Sequence, residues 1–93
     1  MRIEYDPEKS ARNEAERGLP FDRAVDFEWD DAVIIKDDRV DYPESRFVAV
    51  GYLDDRLHVL CFTPAEKGIR VISFRKANAR EARKYGKSIT IDG

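Results

Sequence analysis

The sequence has no long apolar run, and it contains one cysteine and one histidine. Its longest apolar stretches are four or five residues, far short of the roughly 20 that a membrane-spanning helix needs. Cys61 has no partner for an internal disulfide, and one cysteine with one histidine cannot build a tetrahedral zinc site. The first residues, 1–4, lack the apolar stretch of a signal peptide, so we expect a cytoplasmic protein without a membrane contact.

Several other kinds of active site are excluded by what the chain lacks. It has neither a glycine-rich phosphate loop nor the nucleophile elbow of serine hydrolases. Seven carboxylates lie within residues 26–41, but not at the spacing of a calcium loop. His58 alternates with Leu57 and Val59, which is more typical of a partly buried strand histidine than of a catalytic one. We therefore predict no metal site and no cofactor.

What the sequence does contain is enough apolar surface for one modest core and an uneven distribution of charge. Its 93 residues are 42% hydrophobic and 39% charged, which predicts a single domain over residues 1–93. Residues 1–66 carry 9 basic and 17 acidic side chains, and residues 67–93 carry 8 basic and 2 acidic ones. These numbers indicate either a bipolar molecule, with a basic face for a polyanion, or an evenly solvated surface.

Turn and periodicity signals predict an α+β fold: a strand, two helices, a four-strand antiparallel meander and a short C-terminal helix. Asp6-Pro7 and Gly18 bound a first helix over about 7–17, whose apolar residues Ala11 and Ala15 would form a narrow seam on the sheet. The remaining predicted segments are a strand at 2–5, a second helix at 21–27, a loop at 28–31, and strands at about 32–37, 46–53, 57–63 and 69–76.

The C-terminal helix is predicted from a capping signal. Asn78 precedes Glu81 by three residues, and the helix would run on towards Tyr85. Its contact face would consist of Ala79, Ala82 and Tyr85. Residues 87–93 are either a tail or an added edge strand, and the turn before the last strand is predicted at Pro64 to Gly68.

Arginine on the predicted strands is the feature that points to function. A guanidinium is costly to bury alone, so each must be exposed, paired with a carboxylate or aimed at an anionic ligand. Arg46 opens one strand, and Glu44 is a candidate structural partner for it. The odd spacing of Arg70 and Arg75 places them on opposite faces of a regular strand. Arg75, beside Lys76, is the first choice for a phosphate contact, and Arg70 is the better candidate for a structural pair.

These residues resemble the BrnT family of type II toxins across nearly the whole chain. The matching positions are Asp6-Pro7-x-Lys9, Asn13, Gly18, Phe21-x-x-Ala24, Glu44-x-Arg46, Gly51, Ile69-Arg70-Val71-Ile72-Ser73-x-Arg75-x-Ala77, Glu81 and Tyr85. The resemblance implies a RelE-like fold and a ribosome-independent endoribonuclease. It also implies a ribbon-helix-helix antitoxin similar to BrnA, with operator DNA bound only through that antitoxin. The family usually has Lys-His-Gly where this chain has Glu16-Arg17-Gly18, so cleavage that needs that histidine would be weak here.

The predicted reaction uses neither a metal nor a histidine. An RNA 2′-hydroxyl attacks the adjacent phosphate when the protein aligns the two and neutralises the charge on the phosphoryl oxygens. The resemblance ties Arg46 and Arg75 to toxicity, and we expect them to converge on one phosphate, with Arg70 as a third candidate. Glu44 is the candidate base, and Tyr85 would orient the leaving group. Residues expected to bind RNA are Lys9, Lys76, Arg80 and Arg83.

Two simpler interpretations stay open. In the first, Glu44 only pairs with an arginine and Tyr85 only anchors its helix. In the second, the whole chain is a non-catalytic bipolar module that binds a basic protein through its acidic face and nucleic acid through its basic end.

Overall fold

A computed structural model, which describes residues 1–91, has a five-stranded mixed sheet with helices on both faces. The strands are β1 (Arg2–Glu4), β2 (Val33–Asp37), β3 (Arg46–Leu53), β4 (Arg56–Ala65) and β5 (Gly68–Lys76), and the helices are α1 (Pro7–Arg17) and α2 (Ala79–Lys84). The sheet order is β1-β5-β4-β3-β2. Strands β2 to β5 form the predicted antiparallel meander, and β1 adds to it parallel to β5. The α+β class is confirmed.

Helix α1 begins and ends where the sequence predicts. The Asp6 side chain accepts a hydrogen bond from the Glu8 N–H at 2.9 Å, and Pro7 occupies the first turn. Gly18 ends the helix at a φ of +66°, and its N–H donates to the Glu14 carbonyl at 2.8 Å. A left-handed residue at this point favours glycine.

Polar side chains, rather than the predicted alanine seam, attach α1 to the rest of the molecule. The buried Ser10 hydroxyl accepts the Phe21 N–H at 2.9 Å. The Asn13 amide donates to the carbonyl oxygens of Leu19 at 2.7 Å and Phe74 at 2.8 Å, so it links α1 to β5. The predicted contact residues are exposed instead: Ala11 and Ala15.

The predicted second helix is a 3-10 helix over Phe21–Asp26. A 3-10 helix has three residues per turn, and the buried residues Phe21, Ala24 and Phe27 follow that period. Val25, which an α-helical period would bury, is 58% exposed. The predicted loop at 28–31 also contains a short 3-10 helix, Trp29–Asp31.

Strand β4 is longer than predicted, and it includes Pro64 of the predicted turn. Pro64 pairs with Ile69 of β5 on one side. On its other side β3 begins only at Arg46, so no β3 residue pairs with Pro64. A proline is tolerated in a strand where its missing N–H faces no partner. The turn to β5 therefore shrinks to Glu66 and Lys67.

Strand β5 carries a bulge at Ile72. Cys61 pairs with Ser73, whereas Phe62 pairs with Val71, so Ile72 is the extra residue of β5. The bulge changes which side chains share a face. It corrects the prediction that Arg70 and Arg75 point to opposite faces, because that prediction assumed a regular strand.

The two faces of the sheet have different covers. The helix face is covered by the segment between α1 and β2, and its core contains Leu19, Phe21, Ala24, Phe27, Ala49, Leu60, Phe62, Val71 and Phe74. Within residues 1–91, the open face is covered at one end, by α2 and the tail, around Val50, Leu57, Val59, Ala77 and Ala82. No other described helix covers the rest of this face.

Helix α2 and the tail close that one end. The predicted capping box is confirmed, since Asn78 Oδ1 accepts the Glu81 N–H at 2.8 Å and Glu81 Oε1 accepts the Asn78 N–H at 2.9 Å. Ala82 is buried, whereas Ala79 is exposed and not part of the contact face. The Leu57 N–H donates to the Ile89 carbonyl at 2.7 Å, so the tail lies beside the start of β4. The last part of the predicted tail, residues 92–93, lies outside the described residues. No helix within residues 1–91 is long and apolar enough to cross a membrane.

Candidate functional site

The three strand arginines proposed as site residues, Arg46, Arg70 and Arg75, share the open face. Arg70 pairs with Thr63, and Arg75 pairs with Val59, which lies four residues away on the same strand and therefore on the same face. The next step of the β3–β4 register beyond Phe47 and Phe62 brings Arg46 level with Thr63. Arg46 and Arg70 therefore flank Thr63 at a backbone separation of about 10 Å, two strand spacings.

This arrangement differs from the expected convergence of Arg46 and Arg75. Arg75 pairs with Val59, which lies four residues from Thr63 on β4. The two levels are therefore about 13 Å apart along the strand. The neighbour of Arg46 across the sheet is Arg70. Arg70 is exposed, and it makes no ion pair with any of residues 1–91, contrary to the structural pair expected for it.

Arg46 is half-buried and has no carboxylate partner within residues 1–91. Its guanidinium carbon lies 4.3 Å from the centroid of the Tyr42 ring. Its Nε is buried without a hydrogen-bond partner, the one such side-chain atom in the described part of the chain. The predicted partner, Glu44, is exposed and forms no ion pair with Arg46. A cation in this state favours the binding of an anion.

The carboxylate nearest to Arg46 in the sheet is already engaged. Asp37 pairs with Arg46 across the strands, but its side chain accepts two hydrogen bonds from the Arg39 guanidinium, both at 2.8 Å, one from the Arg39 backbone N–H at 3.4 Å and one from the Tyr42 hydroxyl at 3.3 Å. The Arg39 guanidinium is the main reason that the pKa of Asp37 falls to about 2. Asp37 therefore stays ionised and bound to Arg39.

Arg75 is compensated by Glu81 of α2. Arg75 Nη1 donates to Glu81 Oε1 at 2.9 Å, and Nη2 donates to Oε2 at 2.7 Å. This bidentate pair lowers the pKa of Glu81 to about 2 and raises the pKa of Arg75. Because Glu81 also caps α2 through Asn78, the pair ties the helix to β5. The Arg75 side chain remains 41% exposed.

A groove of about 560 Å³ crosses the open face between α2 and the loop after β2. Its floor consists of Val48, Val59, Cys61 and Ser73, and Lys84, Tyr85 and Arg75 stand at the α2 side. Burial raises the pKa of the Cys61 thiol, so that thiol is neutral at neutral pH. Tyr85 also packs against the second core cluster, which is compatible with either role predicted for it.

The other predicted site residues lie around this groove and beyond it. Glu44 and Arg46 line an adjoining cavity of about 440 Å³. Lys9 lines a cavity between α1 and β5 that Arg75 also lines, and Lys76 lines a cleft at the far end of the sheet. Arg80 and Arg83 are exposed on α2.

Tyr42 and Ser73 are site candidates that sequence reasoning missed. Tyr42 lies four residues before Arg46, and only the turn of the loop places its ring under the guanidinium. Ser73 lies two residues before Arg75 on the same face of β5 and pairs with Cys61 at the groove floor. Strand alternation from Arg75 could have identified Ser73, whereas the position of Tyr42 depends on tertiary geometry.

The open face is suited to binding a polyanion. Arg75 and Lys84 line the groove together with the carboxylates of Asp37, Asp38 and Glu81. The uncompensated Arg46, in the adjoining cavity, and Arg70 lie on the same face, so the face offers guanidinium groups at intervals for the phosphates of a strand. No group of three or more His, Cys, Asp or Glu residues within residues 1–91 could hold a metal ion.

Comparison with known families identifies the chain. The family model described as the ribonuclease toxin BrnT of a type II toxin-antitoxin system matches residues 5–81. The chain belongs to the BrnT family. The family resemblance found in the sequence is thereby confirmed. The matched residues of this BrnT chain include Arg46, Arg70 and Arg75 but not Tyr85. Searches of the curated proteins and of the solved structures found no match.

Proposed function

We propose that this chain is a ribosome-independent, metal-independent endoribonuclease of the cytoplasm, built as one RelE-like domain over residues 1–93. Membership of a family of ribonuclease toxins supports the reaction class. The observation that carries the proposal is the state of Arg46. It is half-buried, has a buried Nε without a partner, and has no carboxylate to balance it among the described residues. Such a group is completed by a bound anion.

In the proposed reaction the RNA supplies its own nucleophile. The 2′-oxygen attacks the adjacent phosphorus, the bond to the 5′-oxygen of the next nucleotide breaks, and a 2′,3′-cyclic phosphate and a 5′-hydroxyl result. Negative charge gathers on the phosphoryl oxygens, and Arg46 and Arg70 stabilise it from the two sides of Thr63. Guanidinium groups suit this role because they stay protonated and present planar pairs of donors.

The other proposed roles follow from position. Glu44, in the cavity that Arg46 lines, takes the proton from the 2′-hydroxyl, and Tyr85, in the groove wall, orients the leaving 5′-oxygen, which is protonated by water. Arg75 holds α2 through Glu81 and presents its exposed edge to the next phosphate. Lys9, Lys76, Arg80 and Arg83 extend the basic surface along the strand.

The proposed partner is a ribbon-helix-helix antitoxin resembling BrnA, through which the complex would bind operator DNA. A type II system implies a protein antitoxin, and the type of antitoxin is an inference from the resemblance. When the two proteins are co-expressed, we expect them to purify as one complex.

Cleavage of single-stranded RNA by the purified protein in EDTA tests the proposal. We expect cleavage by the wild type and a loss of at least about 100-fold in Arg46→Ala, in line with the removal of one transition-state donor. Lys67→Ala, in the exposed β4–β5 turn, is the matched control and should cleave normally. Equal cleavage by Arg46→Ala and Lys67→Ala would refute the assignment.

One observation favours the alternative of a non-catalytic binding module. Glu81 already neutralises Arg75, so only two of the three candidate arginines, Arg46 and Arg70, keep their full charge for a transition state. Tight binding of RNA without any cleavage product, by protein freed of its antitoxin, would establish that alternative and overturn the enzyme.

A further inference from the structure

A second basic cavity lies at the far end of the sheet, away from Arg46 and Arg70. It is a cleft of about 740 Å³ between the end of α1, the β3–β4 hairpin and the end of β5. Its lining includes Arg17, Arg23, Arg56, Arg75, Lys76 and His58. Nothing in the proposed catalytic role of the open face uses the histidine of this cleft.

Most of the positive charge in the cleft is not balanced by carboxylates. Arg23 is paired with Asp26 and Asp54, and Arg75 is paired with Glu81. The other three cations have no carboxylate partner within the described residues 1–91: Arg17, Arg56 and Lys76. A concave site with three such cations attracts an anion.

One of these cations is held in place before any ligand binds. Arg56 Nη1 donates to the carbonyl oxygens of Leu57 at 2.7 Å and Ala77 at 3.0 Å. These two bonds fix the guanidinium plane and leave its other N–H groups for a ligand, so less conformational entropy is lost on binding.

His58 supplies a hydrogen-bond acceptor among these donors. Its Nδ1 lies 2.7 Å from the Arg56 carbonyl oxygen. Since a carbonyl can only accept, Nδ1 carries the proton and Nε2 carries the lone pair. Nε2 has no hydrogen-bond partner within residues 1–91 and retains some solvent exposure, and His58, although only 4% exposed, lines the cleft. Burial lowers the pKa of His58 below its ordinary value of 6.5, so the ring is neutral at pH 7.5.

We propose that this cleft binds one ribonucleotide unit of a single-stranded RNA, with its phosphate held by Arg56 and Lys76 and its 2′-hydroxyl donating to His58 Nε2. The inference rests on the proposed function, because it takes RNA as the ligand. A cluster of cations alone would bind RNA and DNA alike, whereas an acceptor beside it selects the sugar that carries a hydroxyl. The volume of the cleft lies within the range of small-molecule sites.

The test uses the fact that His58 is the one histidine of the chain, so its ring signals identify themselves in an NMR spectrum. Wild-type protein is titrated at pH 7.5 with uridine 3′-monophosphate, its 2′-deoxy analogue and inorganic phosphate. We expect saturable shifts of the His58 ring signals with the ribonucleotide, and an affinity about fivefold weaker for the deoxy analogue, the effect of one hydrogen bond. Inorganic phosphate should bind more weakly than either nucleotide.

Lys76→Gln separates the phosphate contact from the sugar contact. It should weaken both nucleotides by a similar factor of about three to ten, since it removes one charge from the site, and Lys67→Gln should leave both affinities unchanged. Equal affinity of the two nucleotides for the wild type, or no shift of the His58 signals, would overturn the inference. Because the readout is binding of a product-like nucleotide, it succeeds or fails independently of the cleavage assay.

Discussion

At the scale of single residues, Arg46 is needed for the proposed function but is not expected to stabilise the protein. Its half-buried guanidinium loses hydration without gaining a carboxylate among residues 1–91. We predict that Arg46→Met, which keeps the length of the side chain, abolishes RNA cleavage while the free energy of unfolding stays the same or rises by up to about 1 kcal/mol. Urea denaturation measures the stability, with the exposed Arg80→Met as the control. A clear loss of stability in Arg46→Met would show that the arginine has a structural role.

The Arg75–Glu81 pair, unlike Arg46, is predicted to stabilise the folded protein. The pKa of Glu81 falls from 4.5 to about 2 in the folded protein, chiefly through its hydrogen bonds with Arg75. A lowered pKa contributes stability that is complete above 4.5 and is lost as the pH falls towards 2. We expect Glu81→Gln to lower the free energy of unfolding by about 1 kcal/mol at pH 7. The difference in the free energy of unfolding between Glu81→Gln and the wild type should narrow as the pH falls from 4.5 to 3. Glu16→Gln, on the exposed side of α1, should show no such dependence on pH.

At the scale of elements, the sequence predicts well where the signal is local. The bounds of α1 follow from Asp6, Pro7 and Gly18, and the meander follows from short turns. The bulge at Ile72 could not be predicted, because a β-branched residue in a β-branched strand gives no sign of an extra position. That one residue decides that Arg70 and Arg75 share a face. The sequence therefore singles out Arg46, Arg70 and Arg75 as candidates, but neither their arrangement nor the place of Tyr42 beside Arg46 could be predicted.

The addition of β1 to the meander depends on a glycine. Arg2 of β1 lies opposite Gly68 of β5, and a Cβ on Gly68 would overlap the main-chain atoms of Arg2. We predict that Gly68→Ala displaces β1 and lowers the free energy of unfolding by about 2 kcal/mol. Hydrogen exchange should show lost protection at the Arg2 amide, which donates to the Lys67 carbonyl at 3.1 Å. Lys67→Ala is the adjacent control. Unchanged protection of β1 in Gly68→Ala would contradict this account of its pairing.

At the scale of the whole molecule, the net charge of −2 is a poor guide to the partner. The longest dimension of the protein is 36 Å, whereas charges in water at physiological salt are screened beyond about 8 Å. A ligand at the open face therefore responds to the cations beside it rather than to the acidic residues elsewhere. The charge asymmetry along the sequence matters because β5 presents Arg70 and Arg75 on the open face and Lys76 in the far cleft.

This locality predicts how RNA binding depends on salt. For single strands, the logarithm of the association constant falls by about 0.7 per decade of salt for each phosphate neutralised. With three to four contacts at the open-face arginines and the far cleft, we expect a slope of about −2 to −3. Measurement with 2′-O-methyl RNA, which cannot be cleaved through its 2′-oxygen, isolates binding from reaction; it keeps the phosphate contacts that set the slope but cannot donate to His58. Arg70→Gln should reduce the steepness by about 0.7, because it removes one phosphate contact, and Lys67→Gln should leave the slope unchanged. A slope near zero for the wild type would mean that the arginines of the open face do not contact phosphate, and the affinity of the protein for RNA would need another source.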